Sequence, residues 1–211
     1  MSRSLSRFVR SFVVAGAFAG SVAAASTPAA PARASTSASA VGATKYLHDH
    51  LDKVQTILQS GSKDREKKVD SELAVLVDID EMAKAALGDE WAKRTEAERK
   101  DFADTFRALV QNSIRKNLDK GTGYDVVYKD EKPQGGDVLV ETELKNKTDK
   151  REPPAQVDYV MRKKGSDFMV VDYITEGSSA TNTWRQQVAS TLKKGSWDDL
   201  MKKMKNKLAK G

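Results

Sequence analysis

The chain of 211 residues contains no cysteine. That excludes disulfide bonds and every metal site built on thiolates. Its only histidines, His48 and His50, stand two residues apart in a helical stretch, a spacing that points them to different faces. They read as solvated surface rather than as a metal pair. There is no Gly-x-Ser-x-Gly elbow, no phosphate-binding loop and no dinucleotide fingerprint after a strand. Nucleophilic and nucleotide chemistry therefore lack their usual machinery. The sequence also lacks an apolar run of the roughly 20 residues that a membrane-spanning helix needs.

The N-terminal segment has the three zones of a secretory signal in order. Arg3, Arg7 and Arg10 form a basic start, and residues 11–25 are small or apolar. Two small-residue cleavage sites follow, after Ala25 and after Ala34. We read residues 1–34 as a signal peptide and residues 35–43, rich in Ser, Thr and Ala, as a flexible lead-in. With no cysteine after the apolar run, lipoprotein processing is excluded. The expected location is the periplasm, and the expected mature chain is soluble. Residues 1–34 hold four arginines and no acid, so the formal charge of +6 falls to +2 without them. That residue of charge is too small to support a nucleic-acid partner, which needs a concentrated basic face.

The remaining 175 or so residues suit one domain of ordinary size. Leu47, Leu51, Val54 and Leu58 form one stripe of an amphipathic helix that closes near Gly61. A second helix is predicted over 64–77, with Val69, Leu73, Leu76 and Val77 inward. A short helix follows Asp78 and ends at Gly88. Thr95 and Glu98 make a capping box that opens the longest helix, which runs to about Lys120. Phe102, Phe106, Leu109 and Val110 share one of its faces. Trp91 and Phe102 read as core, whereas Phe106 and Val110 stay open between core and ligand wall.

After Gly121 the period switches from helix to strand. Tyr124, Val126 and Tyr128 alternate with more polar neighbours, and so do Val138, Val140, Thr142 and Leu144, across a predicted turn at 133–136. Two further strands flank Gly165. The second is apolar on both faces, with Phe168, Val170 and Ile174 on one and Met169, Val171 and Tyr173 on the other. Both faces then need cover, as core or as the wall of a cavity. After a break at Glu176 and Gly177, Trp184, Val188 and Leu192 mark a helix over 181–193. Trp197, Leu200, Met201, Met204 and Leu208 mark a last helix backed by lysines. This order predicts an α+β fold: a curved antiparallel sheet of about four strands, packed with helices from both ends of the chain. Asp172, inside an apolar strand, is the one carboxylate expected to be buried. Arg185 is its expected partner in a structural ion pair.

Three blocks of residues together resemble the toluene-tolerance or MlaC family. The first is Asp78-x-x-x-Met82-Ala83-x-x-x-Leu87-Gly88-x-x-Trp91. The second is Thr95-x-x-Glu98-Arg99-x-x-Phe102-x-x-x-Phe106-x-x-Leu109. The third is Val157-x-Tyr159-x-Met161-Arg162, then Phe168, Asp172, Glu176-Gly177-x-Ser179 and Arg185. The likeness spans about residues 42–208, with a lipid-binding domain over 44–208. It departs from the family pattern after Gly177, where Ser178, Ala180 and Thr181 are small or polar. It also has Phe168 where Trp is common and Trp184 where Tyr or Phe is common.

The resemblance implies a periplasmic phospholipid carrier rather than an enzyme, with a fold that encloses a deep apolar cavity. It implies partners at both membranes: an outer-membrane lipoprotein–porin complex and an inner-membrane ABC transporter complex with an MCE-domain protein. The carrier would keep lipid asymmetry without cofactor or metal. The residues expected to line the cavity are Phe106, Val110, Val140, Tyr159, Met161, Val170, Val171, Ile174, Ser178 and Trp184. Two alternatives stay open: a carrier of another apolar lipid such as a hopanoid, and an enzyme of similar fold using Asp172 with Tyr159 or Tyr173 for proton transfer. The chain exported to a bacterial periplasm should begin at Ser26 or Ser35. N-terminal sequencing checks this, and an exported chain that keeps Met1 would remove the signal reading.

Overall fold

The computed structural model describes residues 41–210, apart from the side chains of residues 41 and 116–119. The expected signal segment, residues 1–34, lies outside the described residues, as does most of the lead-in. The last three lead-in residues, 41–43, are already helical, and Ala43 is fully buried. The first helix therefore starts a turn before Leu47. Gly42 permits that start, because a Cβ there would stand 3.1 Å from the Phe168 ring.

Among the described residues the order is α1 (Val41–Gln59), α2 (Arg65–Leu76), α3 (Ile79–Leu87), α4 (Glu90–Lys93) and α5 (Glu96–Gly121). Then come β1 (Tyr124–Gln134), β2 (Asp137–Asn146), β3 (Ala155–Lys164), β4 (Asp167–Thr175), β5 (Ser178–Ser179), α6 (Ala180–Lys194) and α7 (Trp197–Ala209). No helix among the described residues is long and apolar enough to cross a membrane. Local chemistry sets the ends. The Asp78 carboxylate accepts the Glu81 N–H to start α3, and Gly88 at φ 58° ends it. Thr95 and Glu98 form the capping box of α5.

The sheet is an open antiparallel meander in the order β1-β2-β3-β4-β5. It has one strand more than the four expected. Glu176 and Gly177 both take positive φ, 48° and 76°, which makes a two-residue turn and folds Ser178–Ser179 back beside β4 before α6 begins. The predicted turn at 133–136 is also tighter than expected. Pro133 and Gln134 pair with Val138 and Asp137, leaving Gly135 and Gly136 as the turn. Proline is tolerated there because β1 is an edge strand and has no ladder to donate to on its outer side.

One irregularity changes the side-chain pattern. Val160 pairs with Asp172, but Met161 pairs with Val170, so Val171 is an extra residue in β4. Such a bulge reverses the alternation beyond it. Phe168 and Val170 therefore share the inner face with Tyr173 and Thr175, and Ile174 faces the other way. The simple period-2 reading had placed Ile174 with Phe168 and Val170.

All the large helices gather on that inner face. Met82, Leu87, Phe102, Phe106, Trp184, Val188, Leu200 and Met204 form the main core between α3, α5, α6 and α7. Leu47, Leu76, Val140, Met161, Phe168 and Val170 form a second core beneath α1. The end of α2 is tied to the sheet through its backbone, where the Asp78 N–H donates to the Val170 carbonyl at 2.9 Å. Arg162 grips both oxygens of Asp137 at 2.8 and 2.9 Å and reaches Glu81 on α3 at 2.8 Å. That fork fixes the first turn of α3 to the β2–β3 edge. Phe102 is wholly buried. Phe102→Ala should lose about 3–5 kcal/mol of unfolding free energy, measured by urea denaturation.

Candidate functional site: an apolar pocket

The helices do not fill the inner face completely. A pocket of about 230 Å³ remains between them and the sheet. Leu51, Val54 and Leu58 of α1 line it with Val69, Leu73 and Leu76 of α2. Val110 and Ile114 of α5 and Trp184 of α6 close other sides. The sheet contributes Tyr124, Val126, Leu144, Val157, Tyr159, Val170, Tyr173 and Thr175. These strand residues all belong to the inner parity that the register and the bulge establish.

Among the described residues no acid, lysine, arginine or histidine lines the pocket. Its ionisable groups are phenols, and they are held neutral. Burial first, and then Asp158, pushes the Tyr159 phenol up to about 12. Burial raises Tyr173 still further, with Asp172 and Tyr159 adding to it. The described wall is therefore uncharged at physiological pH. Thr175 is the most enclosed polar residue in it, 3% exposed, and its hydroxyl oxygen has no hydrogen-bond partner among the described residues. A buried hydroxyl left unpaired costs about 1–3 kcal/mol.

Of the residues expected to line a cavity, the structure brings Val110, Tyr159, Val170 and Trp184 together in the wall. It places the others elsewhere. Phe106 is wholly buried in the main core, 5.1 Å from the Trp184 ring and 6.1 Å from Phe102. Val140 and Met161 share the inner face but are covered by α1 in the second core. Val171 is the buried bulge residue, and the reversal it causes turns Ile174 outward. Ser178 is exposed on β5, because the tight turn before it carries it past the end of the pocket. The stripes of α1 and α2, read from sequence only as the inward faces of amphipathic helices, supply much of the wall instead. Sheet parity alone pointed to Val126, Leu144 and Val157. Nothing in the sequence marked Thr175.

Asp172 and Arg185 do not pair with one another. The Asp172 carboxylate accepts the Ser179 hydroxyl at 2.5 Å, the Thr181 N–H at 3.0 Å and the Tyr173 N–H at 2.9 Å. It thereby fastens β4 to the start of α6. Arg185 instead crosses to the end of α3, where its Nε donates to the Ala85 carbonyl at 3.0 Å and its side chain packs over Gly88. A helix C-terminus offers unpaired carbonyls and negative potential, and the bare Gly88 leaves room for the side chain. His50 also differs from expectation. It is buried between α1 and α2, with Nδ1 2.5 Å from the Glu72 carboxylate and its ring 4.3 Å from Tyr46. Asp172→Ala should cost about 1–3 kcal/mol. Because the two residues have separate partners, the double variant with Arg185→Ala should be additive to within about 0.5 kcal/mol in urea unfolding. A larger coupling would restore the ion pair.

Comparison with known proteins places this architecture. The sequence profile described as MlaC protein matches residues 43–206. The fold is similar to that of a phospholipid-binding protein from Ralstonia solanacearum, solved in complex with a phospholipid. The TM-score is 0.69 at 21% identity, with 80% of this chain and 98% of that one covered. No curated protein matches the sequence. The profile covers most of the chain, from the first turn of α1 to the last turn of α7, and the chain belongs to the MlaC protein family.

Proposed function

We propose that the protein is a soluble periplasmic carrier that holds phospholipid acyl chains in the pocket and shuttles the lipid between membrane complexes. The observation that carries this is the uncharged, apolar pocket inside an MlaC-family fold. Each CH₂ of an acyl chain left in water costs about 0.8 kcal/mol, so a diacyl lipid crosses an aqueous space only if its chains are covered. The pocket supplies that cover without covalent chemistry. The Ralstonia protein of similar fold was solved with a phospholipid bound, which supports the same class of ligand here.

The pocket is smaller than the ~300–1,000 Å³ of sites for drug-sized ligands, and a diacyl lipid is larger than those. Loading must therefore widen it. Side-chain packing of α1 and α2 on the sheet is what yields, since α2 is tied to β4 through its backbone only at its end. On this reading the carrier exchanges lipid with an outer-membrane lipoprotein–porin complex and an inner-membrane ABC transporter complex with an MCE-domain protein, and so maintains lipid asymmetry. The signal segment supports the periplasmic setting. The alternative of proton transfer at Asp172 finds little support, because its oxygens already hold three donors and it does not line the pocket.

Native mass spectrometry of protein purified from a periplasm, with lipid extraction of the same sample, tests the reading. The expected result is a bound mass that releases diacyl phospholipid. A hopanoid mass would change the cargo, and a bare protein that stays bare after incubation with phospholipid vesicles would overturn the carrier. Leu144→Glu puts a charge on the half-buried pocket wall. It should lower lipid loading at least tenfold while leaving the far-ultraviolet circular dichroism unchanged.

A further inference from the structure

Thr175 is anomalous for a buried threonine. Two other buried threonines find a backbone acceptor: Thr105 donates to the Asp101 carbonyl at 2.7 Å, and Thr142 donates to the Val157 carbonyl. Thr175 lies in the same row of the sheet, paired with Val157 on one side and Ser178 on the other. It is 3% exposed and lines the pocket, yet its hydroxyl has no hydrogen-bond partner among the described residues. Valine has the same shape and would finish an apolar wall with no polar atom to desolvate. A hydroxyl here has a use only when something carrying an acceptor enters the pocket.

A donor buried in a hydrocarbon wall calls for a neutral acceptor close to hydrocarbon. An acyl ester carbonyl is that group, since it joins a long chain to a polar backbone. A saturated polycyclic skeleton offers none. Threonine has staggered χ1 wells, so a rotation about χ1 turns the hydroxyl toward an occupant without moving the strand. Resting on the phospholipid reading of the pocket, we propose that the Thr175 hydroxyl donates a hydrogen bond to an ester carbonyl of the bound lipid and makes the pocket select ester-linked acyl chains.

The test compares two lipids in two proteins. Vesicles of ester-linked diacyl phosphatidylglycerol and of its ether-linked dialkyl analogue, which lacks the carbonyls, are offered to delipidated wild type and to Thr175→Val, and loading is followed by native mass spectrometry. Wild type should load the ester lipid about three- to tenfold better, the worth of one neutral hydrogen bond. Thr175→Val should lose that preference, its ester-to-ether loading ratio falling to about one, and should unfold at the same or higher urea concentration. Thr175→Ser, which keeps the hydroxyl, should restore the preference. An ester-to-ether ratio equal in wild type and Thr175→Val would overturn the proposal and leave the carrier standing. Failure of wild type to load either lipid would overturn the carrier reading itself, and this proposal with it.

Discussion

An extra residue at Val171 sets which side chains of β4 face the helices. Upstream of it, Phe168 and Val170 point inward, and the bulge lets Tyr173 and Thr175 point inward as well. Without that insertion Ile174 would take the inner position and Tyr173 would turn to the outer face. The second core needs Phe168 and Val170 against Leu47 and Leu76. The pocket needs Tyr173 and Thr175. A regular strand cannot serve both, so core and pocket depend on the same one-residue irregularity.

Around that strand the structure separates rigid from yielding parts. The main core joins α3, α5, α6 and α7 through large aromatic and aliphatic side chains, including Phe102, Phe106 and Trp184. Directional bonds hold its margins, with Asp172 at the start of α6, Arg185 at the end of α3, and Arg162 between sheet and α3. The α1–α2 side is held differently. Near the far end of the pocket its buried contacts shrink to Leu58 and Val69 with a few partly exposed neighbours. Low local burial is where opening costs least. On the proposed carrier reading, admitting and releasing an apolar cargo would draw on this contrast between a densely packed wall and a more sparsely packed one.

The neutrality of the pocket has a simple electrostatic basis. Its phenols are pushed far above neutral pH by burial, and its carboxylates lie outside the wall with their own donors. A charged side chain in the wall would favour water over hydrocarbon and oppose loading. Asp158 shows how an acid is tolerated nearby. It is buried on the opposite parity to Val157 and Tyr159, its pKa is raised by that burial, and it accepts from the Thr142 N–H and the Gln156 amide.

The sequence by itself determined the order of the longer helices and the first four strands, the caps at Asp78 and Thr95, the turn glycines and the family, because each rests on local chemistry or on residue spacing. The α+β class followed from that order. Tertiary structure decided which apolar residues became core and which became wall. Leu51, Val54 and Val69 have the same periodic signature whether they meet a side chain or a void, so the sequence marks them only as inward-facing. Phe106 filled space between two aromatic rings that only packing brings together. The partners of Asp172 and Arg185 were likewise unreadable: both residues had opposite charge and suitable order, but the donors at Ser179 and Thr181 and the carbonyl of Ala85 lay closer in space. A bulge leaves no mark in an apolar run, and so the faces of β4 were settled only when the strands paired.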